Sequence, residues 1–158
     1  MHTSNAWSIR PAATADAAQI AEFNRRMALE TERKALDSDT VLRGVQRLLA
    51  EPGLGRYYVA EQDGRLLGQA MITYEWSDWR NGLFWWLQSV YVEPGSRSRG
   101  VFGSLCRHIE TLADRQGGVC GLRLYVENGN EAAKAAYRSL GFASAGYEVL
   151  ERLPGVRG

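Results

Sequence analysis

The residues best placed to do chemistry stand at Arg97-Ser98-Arg99-Gly100-Val101-Phe102-Gly103-Ser104, directly after Pro94 closes an apolar run. Two guanidinium groups, two glycines and two hydroxyls sit at what reads as the start of a helix. The first turn of a helix leaves N–H groups without partners and carries a partial positive charge, so an anion placed there meets ready donors. Gly100 and Gly103 carry no side chain to hold a phosphate off the backbone, and Arg97 and Arg99 add charged donors. The stretch reads either as a phosphate or pyrophosphate cradle or as a solvated connection. It is neither a Walker-type loop nor the Gly-x-Gly-x-x-Gly dinucleotide fingerprint.

Such a cradle needs a strand before it and a helix after it. Val101, Phe102, Leu105, Ile109, Leu112 and Ala113 recur at three- and four-residue steps, with Arg107, Glu110, Asp114 and Arg115 opposite, which predicts a helix over 101–116 ended by Gly117-Gly118. Upstream, residues 83–92 are apolar almost throughout, as in a strand covered on both faces, which is expected at the sheet's centre. A strand over 122–126 follows the helix, making a parallel β-α-β unit with the cradle at the carboxyl end of its first strand, where open α/β sheets bind ligands.

The rest of the chain supports that unit. A short strand ends at Pro11. Thr14-Ala-Asp16 opens a helix running to about Glu32, and a second helix starts near Ser38-Asp39 and stops at Pro52-Gly53. Residues 57–62 and 66–74 are strands joined by the tight turn Asp63-Gly64, and Asn81-Gly82 marks a second turn. Asn128-Gly-Asn130 opens a last helix over 131–140, and residues 142–153 are expected to hold one or two final strands. The expected fold is α/β with a mixed sheet (α+β mixed sheet), an antiparallel N-terminal half joined to a parallel β-α-β centre.

Composition bounds the function. The 158 residues are 45% hydrophobic and 23% charged, which suits a single domain over 1–158. A net charge of +1, from 19 basic and 18 acidic residues, gives no case for nucleic-acid binding or for an anionic membrane surface. No apolar run approaches the ~20 residues of a membrane span, and residues 1–5 are polar with no apolar segment following. A cytoplasmic protein is expected. Cys106 and Cys120 stand in no metal-ligand spacing and read as reduced core thiols. His2 falls in the terminal tail and His108 on the more polar side of its helix, so no metal is expected.

A second constellation, Asn130-x-x-Ala133-x-x-x-Tyr137-x-x-x-Gly141-Phe142, lies downstream of Val90-Tyr91-Val92-Glu-Pro-x-x-Arg97-x-x-Gly100-Val101. In this order and separation the two resemble the GNAT superfamily of acyl-CoA-dependent N-acetyltransferases, over essentially the whole chain. One position departs: Phe102 stands where the family pattern has a small residue, with the glycine one place later at Gly103. The resemblance implies acetyl-CoA as co-substrate, its pyrophosphate on the amides of residues 97–104 and its pantetheine arm beside the backbone of Val90, Tyr91 and Val92. It also implies that Asn130 contacts that arm and that Tyr137 stands near the sulfur. The implied reaction is direct attack by a primary amine of a small molecule or peptide on the thioester, in a monomer or homodimer. The alternative is a non-catalytic coenzyme A-binding module of the same fold.

Where many relatives place a carboxylate on the central strand, this chain has Trp85, Trp86 and Gln88. Glu75 is the first candidate for the general base and Glu30 the second, each set against a solvated or structural carboxylate. Trp76, Trp79, Trp85 and Trp86 are four of the five tryptophans. They read as an aromatic wall for the acceptor, with Trp76, Trp79, Trp86 and Gln88 lining it, or as sheet packing or a subunit interface.

Overall fold

The structure, a computed structural model, describes residues 6–155. Residues 1–5, including His2, lie outside the described part. The chain forms two compact units, Met1–Tyr125 and Val126–Gly158.

In the first unit, β1 (Ser8–Pro11) leads through a short 3-10 turn at Thr14–Asp16 into α1 (Ala17–Glu32), followed by α2 (Ser38–Ala50). Asp16 fastens that entry by accepting from the Ala13 N–H at 2.6 Å and from both terminal nitrogens of Arg10 at 2.7 and 3.0 Å. Asp37 caps α2 by accepting from the Thr40 N–H at 2.9 Å, as expected of a short acidic side chain at an N-cap. Three strands follow: β2 (Arg56–Gln62), β3 (Arg65–Ser77) and β4 (Gly82–Val92). Asp63 and Gly64 turn β2 into β3 with φ of 52° and 77°, the pair of left-handed residues that a tight hairpin requires. A second 3-10 turn, Pro94–Ser96, precedes α3 (Val101–Gln116), and β5 (Val119–Leu124) completes the sheet.

The strand order is β1-β2-β3-β4-β5, antiparallel as far as β4, with β5 parallel to β4. Among the described strands β3 is the middle one. β4 is the junction between the antiparallel and parallel parts, not the centre that its unbroken apolar run suggested. On one face Ile20, Phe23 and Val45 of α1 and α2 pack with Tyr57, Val59, Leu66 and Tyr91 of the sheet. On the other, α3 buries Val101, Leu105, Cys106 and Ile109. His108 turns its ring against Tyr58 at 5.6 Å, so it packs on the sheet although sequence spacing placed it on the more polar side. Burial pushes the Cys106 thiol up to about 12, which leaves it un-ionised at neutral pH.

β4 carries one irregularity. Tyr91 pairs with Gln69 and Gln88 with Met71, so Ser89 and Val90 stand together opposite Ala70 in a β-bulge. Ser89 takes a left-handed φ of 49°, a conformation costing roughly 1–2 kcal/mol for a residue with a Cβ. Because of the bulge, Gln88 and Tyr91 both face the α1 side of the sheet.

Two boundaries differ from expectation. β5 begins at Val119 rather than 122 and ends at Leu124, because its ladder starts where Val119 meets Leu83, and a parallel register depends on the neighbouring strand rather than on composition. The second unit holds α4 (Glu131–Ser139), and residues 142–155 contain no strand. An apolar run suggests a strand but a ladder defines it, and Gly146, at φ of 78°, breaks the run. Among the described residues no helix is long and apolar enough to cross a membrane, and no cluster of His, Cys, Asp or Glu is arranged to hold a metal ion.

Candidate active site

The turn into α3 is built from left-handed residues. Ser98 has φ 62° and Gly100, the N-cap, φ 94°. The first helical bond runs from the Ser104 N–H to the Gly100 carbonyl at 3.0 Å. The amides of Val101, Phe102 and Gly103 therefore precede the helical ladder and stand at its positive end. Two expected donors are occupied within the chain. Both the amide and the hydroxyl of Ser104 go to Gly100, and the Arg97 amide goes to the Pro94 carbonyl at 3.4 Å. A Cβ built on Gly100 meets nothing nearer than Trp7 at 4.0 Å, so the space over the turn is open. Val101 is buried in the core while Phe102 is half-buried.

The two guanidinium groups diverge. Arg97 donates from Nε to the Val92 carbonyl at 2.9 Å and from Nη2 to Glu30 at 2.7 Å, and lies over the Tyr91 ring at 5.4 Å. Arg99 lies over Trp7 at 5.5 Å and reaches Gln62 at 3.4 Å. A cavity of about 240 Å³ adjoins it, lined by Gln62, Asp63, Arg65, Glu93, Ser96 and Arg99 among others.

β5 pairs with β4 only from Leu83 to Leu87, whereas β4 continues to Val92. Among the described strands, Tyr91 and Val92 thus pair with Gln69 and Gly68 of β3, and Val90, Tyr91 and Val92 have no strand on the other side. The Tyr91 side chain points away from that edge, its ring tilted on Phe23 at 5.2 Å and its hydroxyl donating to Glu30 at 3.0 Å. Burial and the neighbouring carboxylate push the Tyr91 hydroxyl above its ordinary value.

Lower on the same face, Glu75 joins three strands. It accepts from Trp86 Nε1 at 3.0 Å and from Arg123 Nη1 at 2.9 Å. Trp86 stacks on Tyr125 with centroids 4.5 Å apart, and Arg123 covers the Phe84 ring at 3.6 Å. Gln88 donates to the Thr73 hydroxyl at 2.5 Å. Trp76 and Trp79 are 61% and 88% exposed, Trp76 near the end of β3 and Trp79 in the turn after it, while Trp85 is buried. In the second unit Asn130 caps α4 by accepting from the Ala133 N–H at 3.1 Å, and Tyr137 meets Phe142 edge-on at 5.8 Å.

The model of the Acetyltransferase (GNAT) family matches residues 18–142, from the second residue of α1 to the end of the Tyr137 constellation. The chain belongs to the GNAT family. It is 30% identical over 139 residues to the uncharacterized N-acetyltransferase YhfO of Bacillus subtilis (strain 168), covering 85% of this chain and 89% of that protein. It is 38% identical over 86 residues to the streptothricin acetyltransferase of Streptomyces lavendulae, a match that spans 54% of this chain and 43% of that enzyme. The crystal structure of a possible acetyltransferase from Clostridium difficile 630 superposes with a TM-score of 0.88 at 43% identity, covering 93% of this chain and 97% of that one.

Within this GNAT chain the sequence pointed to the cradle and to Glu75, Trp86 and Gln88, but missed Arg123, Tyr125 and Thr73, which these three side chains touch. The signal was the alternation Leu122-Arg-Leu-Tyr125, which puts Arg123 and Tyr125 on one face. What could not be read was the parallel register that sets Arg123 beside Trp86.

Proposed function

We propose that this GNAT protein, as a single N-acetyltransferase domain, moves the acetyl group of acetyl-CoA to a primary amine of a small molecule or peptide. One observation carries the reading: among the described strands β4 runs past the end of β5, and it leads through the Pro94–Ser96 turn to the positive end of α3. An extended pantetheine arm suits the edge at Val90, Tyr91 and Val92, and a pyrophosphate suits the amides between Ser98 and Gly103.

The amine nitrogen forms a bond to the acetyl carbon as the C–S bond breaks, and the coenzyme A thiolate leaves with the electron pair. A backbone N–H of β4 beside the thioester supports the oxyanion, and Tyr137 gives its proton to the thiolate. The incoming amine must first lose a proton, which for a lysine-like group costs about 4.6 kcal/mol at pH 7. Glu75, beside the aromatic surface of Trp86 and Tyr125, is the first acceptor of that proton, and Glu30 the second. Trp86 and Gln88 border the acceptor, with Trp76 and Trp79 at its outer rim.

A second reading, a coenzyme A-binding module without chemistry, draws support from the pairing of both carboxylates with arginines, Glu75 with Arg123 and Glu30 with Arg97. Thiol release from acetyl-CoA, screened over polyamines, amine antibiotics including streptothricin, and peptides, separates the two. Release with an amine supports transfer, whereas coenzyme A binding with no release over the panel supports the module.

A further inference from the structure

The β4 bulge is held on the α1 side by a chain of buried side chains. Gln69, fully buried in β3, donates from Nε2 to the Ser89 carbonyl at 3.1 Å and to Asn24 Oδ1 of α1 at 2.7 Å. A backbone carbonyl only accepts, which fixes which end of the Gln69 amide faces it. Asn24 then donates from Nδ2 to the Tyr57 hydroxyl at 3.1 Å. The chain of bonds from Tyr57 through Asn24 and Gln69 therefore ends on the carbonyl of the left-handed Ser89. Gln69 Oε1 is left without a hydrogen-bond partner, an arrangement that burial disfavours and that a purely apolar core would avoid.

We propose that Gln69, Asn24 and Tyr57 are positioning residues for acetyl transfer. Acting through Ser89, they hold the bend that aims the backbone of Val90, Tyr91 and Val92 at the thioester. The bend falls just beyond Leu87, where β5 stops following β4, so no partner strand among the described residues sets the direction of these three residues on that side. The inference rests on the acetyl-transfer reading above.

The test is Gln69→Leu, which removes both donated bonds at nearly constant volume, measured well below its melting temperature with the folded fraction checked by circular dichroism. Misplacement of the reacting groups by an ångström costs on the order of 10²-fold, so kcat is expected to fall by about 10- to 100-fold while KM for acetyl-CoA changes by less than about threefold. The backbone amide resonances of Ser89 to Val92 are expected to shift in the same variant. A role confined to stability would lower the melting temperature and leave kcat per folded molecule unchanged. If Gln69→Leu does not fold, Tyr57→Phe removes the hydroxyl that accepts from Asn24 and is expected to give a smaller loss of kcat in the same direction. A wild-type protein that transfers acetyl, with folded variants matching its kcat, overturns the proposal alone. A wild-type protein with no transfer to any amine overturns the functional reading and this proposal with it.

Discussion

Arg97 Nη2 lies 2.7 Å from Oε2 of Glu30, a residue 67 positions earlier at the end of α1. The guanidinium expected to meet a phosphate is instead part of a clasp that also takes in the Val92 carbonyl and the Tyr91 ring. Burial alone would push the Glu30 carboxyl up, but hydrogen bonds from Arg97 and Tyr91 and the charge of Arg97 outweigh it and hold the group below its ordinary 4.5.

A carboxylate held low stabilises the fold above its unfolded pKa, and that contribution is lost as pH falls through the folded value, here below 4.5. The Arg97 and Glu30 side chains are 45% and 40% exposed, so solvent screening reduces the pair to about 0–1 kcal/mol. Glu30→Gln is therefore expected to lower the melting temperature at pH 7 by no more than about 4 °C and to flatten its decline in acid. Coenzyme A affinity should hold or rise, because Arg97 is released. A pH-scanned melt with parallel calorimetric titration measures both.

Gly100 and Gly117 bracket α3, with φ of 94° and 73°, and a Cβ at either meets no atom closer than 4.0 Å. Valine at either position should carry a similar backbone penalty, at least about 1–2 kcal/mol. Only Gly100→Val should also weaken coenzyme A, since its side chain stands at the first turn of α3. Titration of the two folded variants side by side checks this, and equal affinities would move the phosphate elsewhere.

Glu75→Gln should reduce turnover by on the order of 10²-fold or more, the usual worth of a general base. The loss should shrink as pH rises, because more of an amine with pKa near 10.4 is then neutral without help. A loss independent of pH would instead mark Glu75 as the anchor that orders Trp86 and Arg123.

Tyr137→Phe keeps the edge-on contact with Phe142 and removes only the hydroxyl. Turnover should fall toward the low end of the 10²- to ~10⁴-fold range of acid catalysis, since a thiolate is a fair leaving group. Coenzyme A affinity should stay nearly constant. Rate, affinity and melting temperature on one sample separate a proton donor from a packed ring.

The helices were legible because their apolar periodicity and stop signals agree: 101–116 was read from both and is where α3 lies. Asp63-Gly64 likewise announced its hairpin. Pairing was not legible. Nothing in a serine within an apolar run marks Ser89 as a bulge, and Glu30 and Arg97 are joined only once the sheet brings α1 beside β4. Gln69 was the overlooked signal, a polar residue amid Leu66-Leu-Gly-Gln-Ala-Met71, where a buried amide has to find partners. The apolar residues of 142–153 suggested strands because composition reports burial preference and says nothing about whether a neighbouring strand is available.

The most direct measurement follows the acetyl group itself. Acetyl-labelled coenzyme A is incubated with the protein and an acceptor from the amine panel, quenched part-way, and the label is counted on amine, coenzyme A and protein. Direct transfer predicts label on the amine, one free coenzyme A thiol for each acetylated amine, and none on the protein, in keeping with a buried Cys106 whose thiol is pushed up to about 12. Label that never leaves acetyl-CoA with any amine, or that accumulates on the protein before reaching the amine, would contradict it.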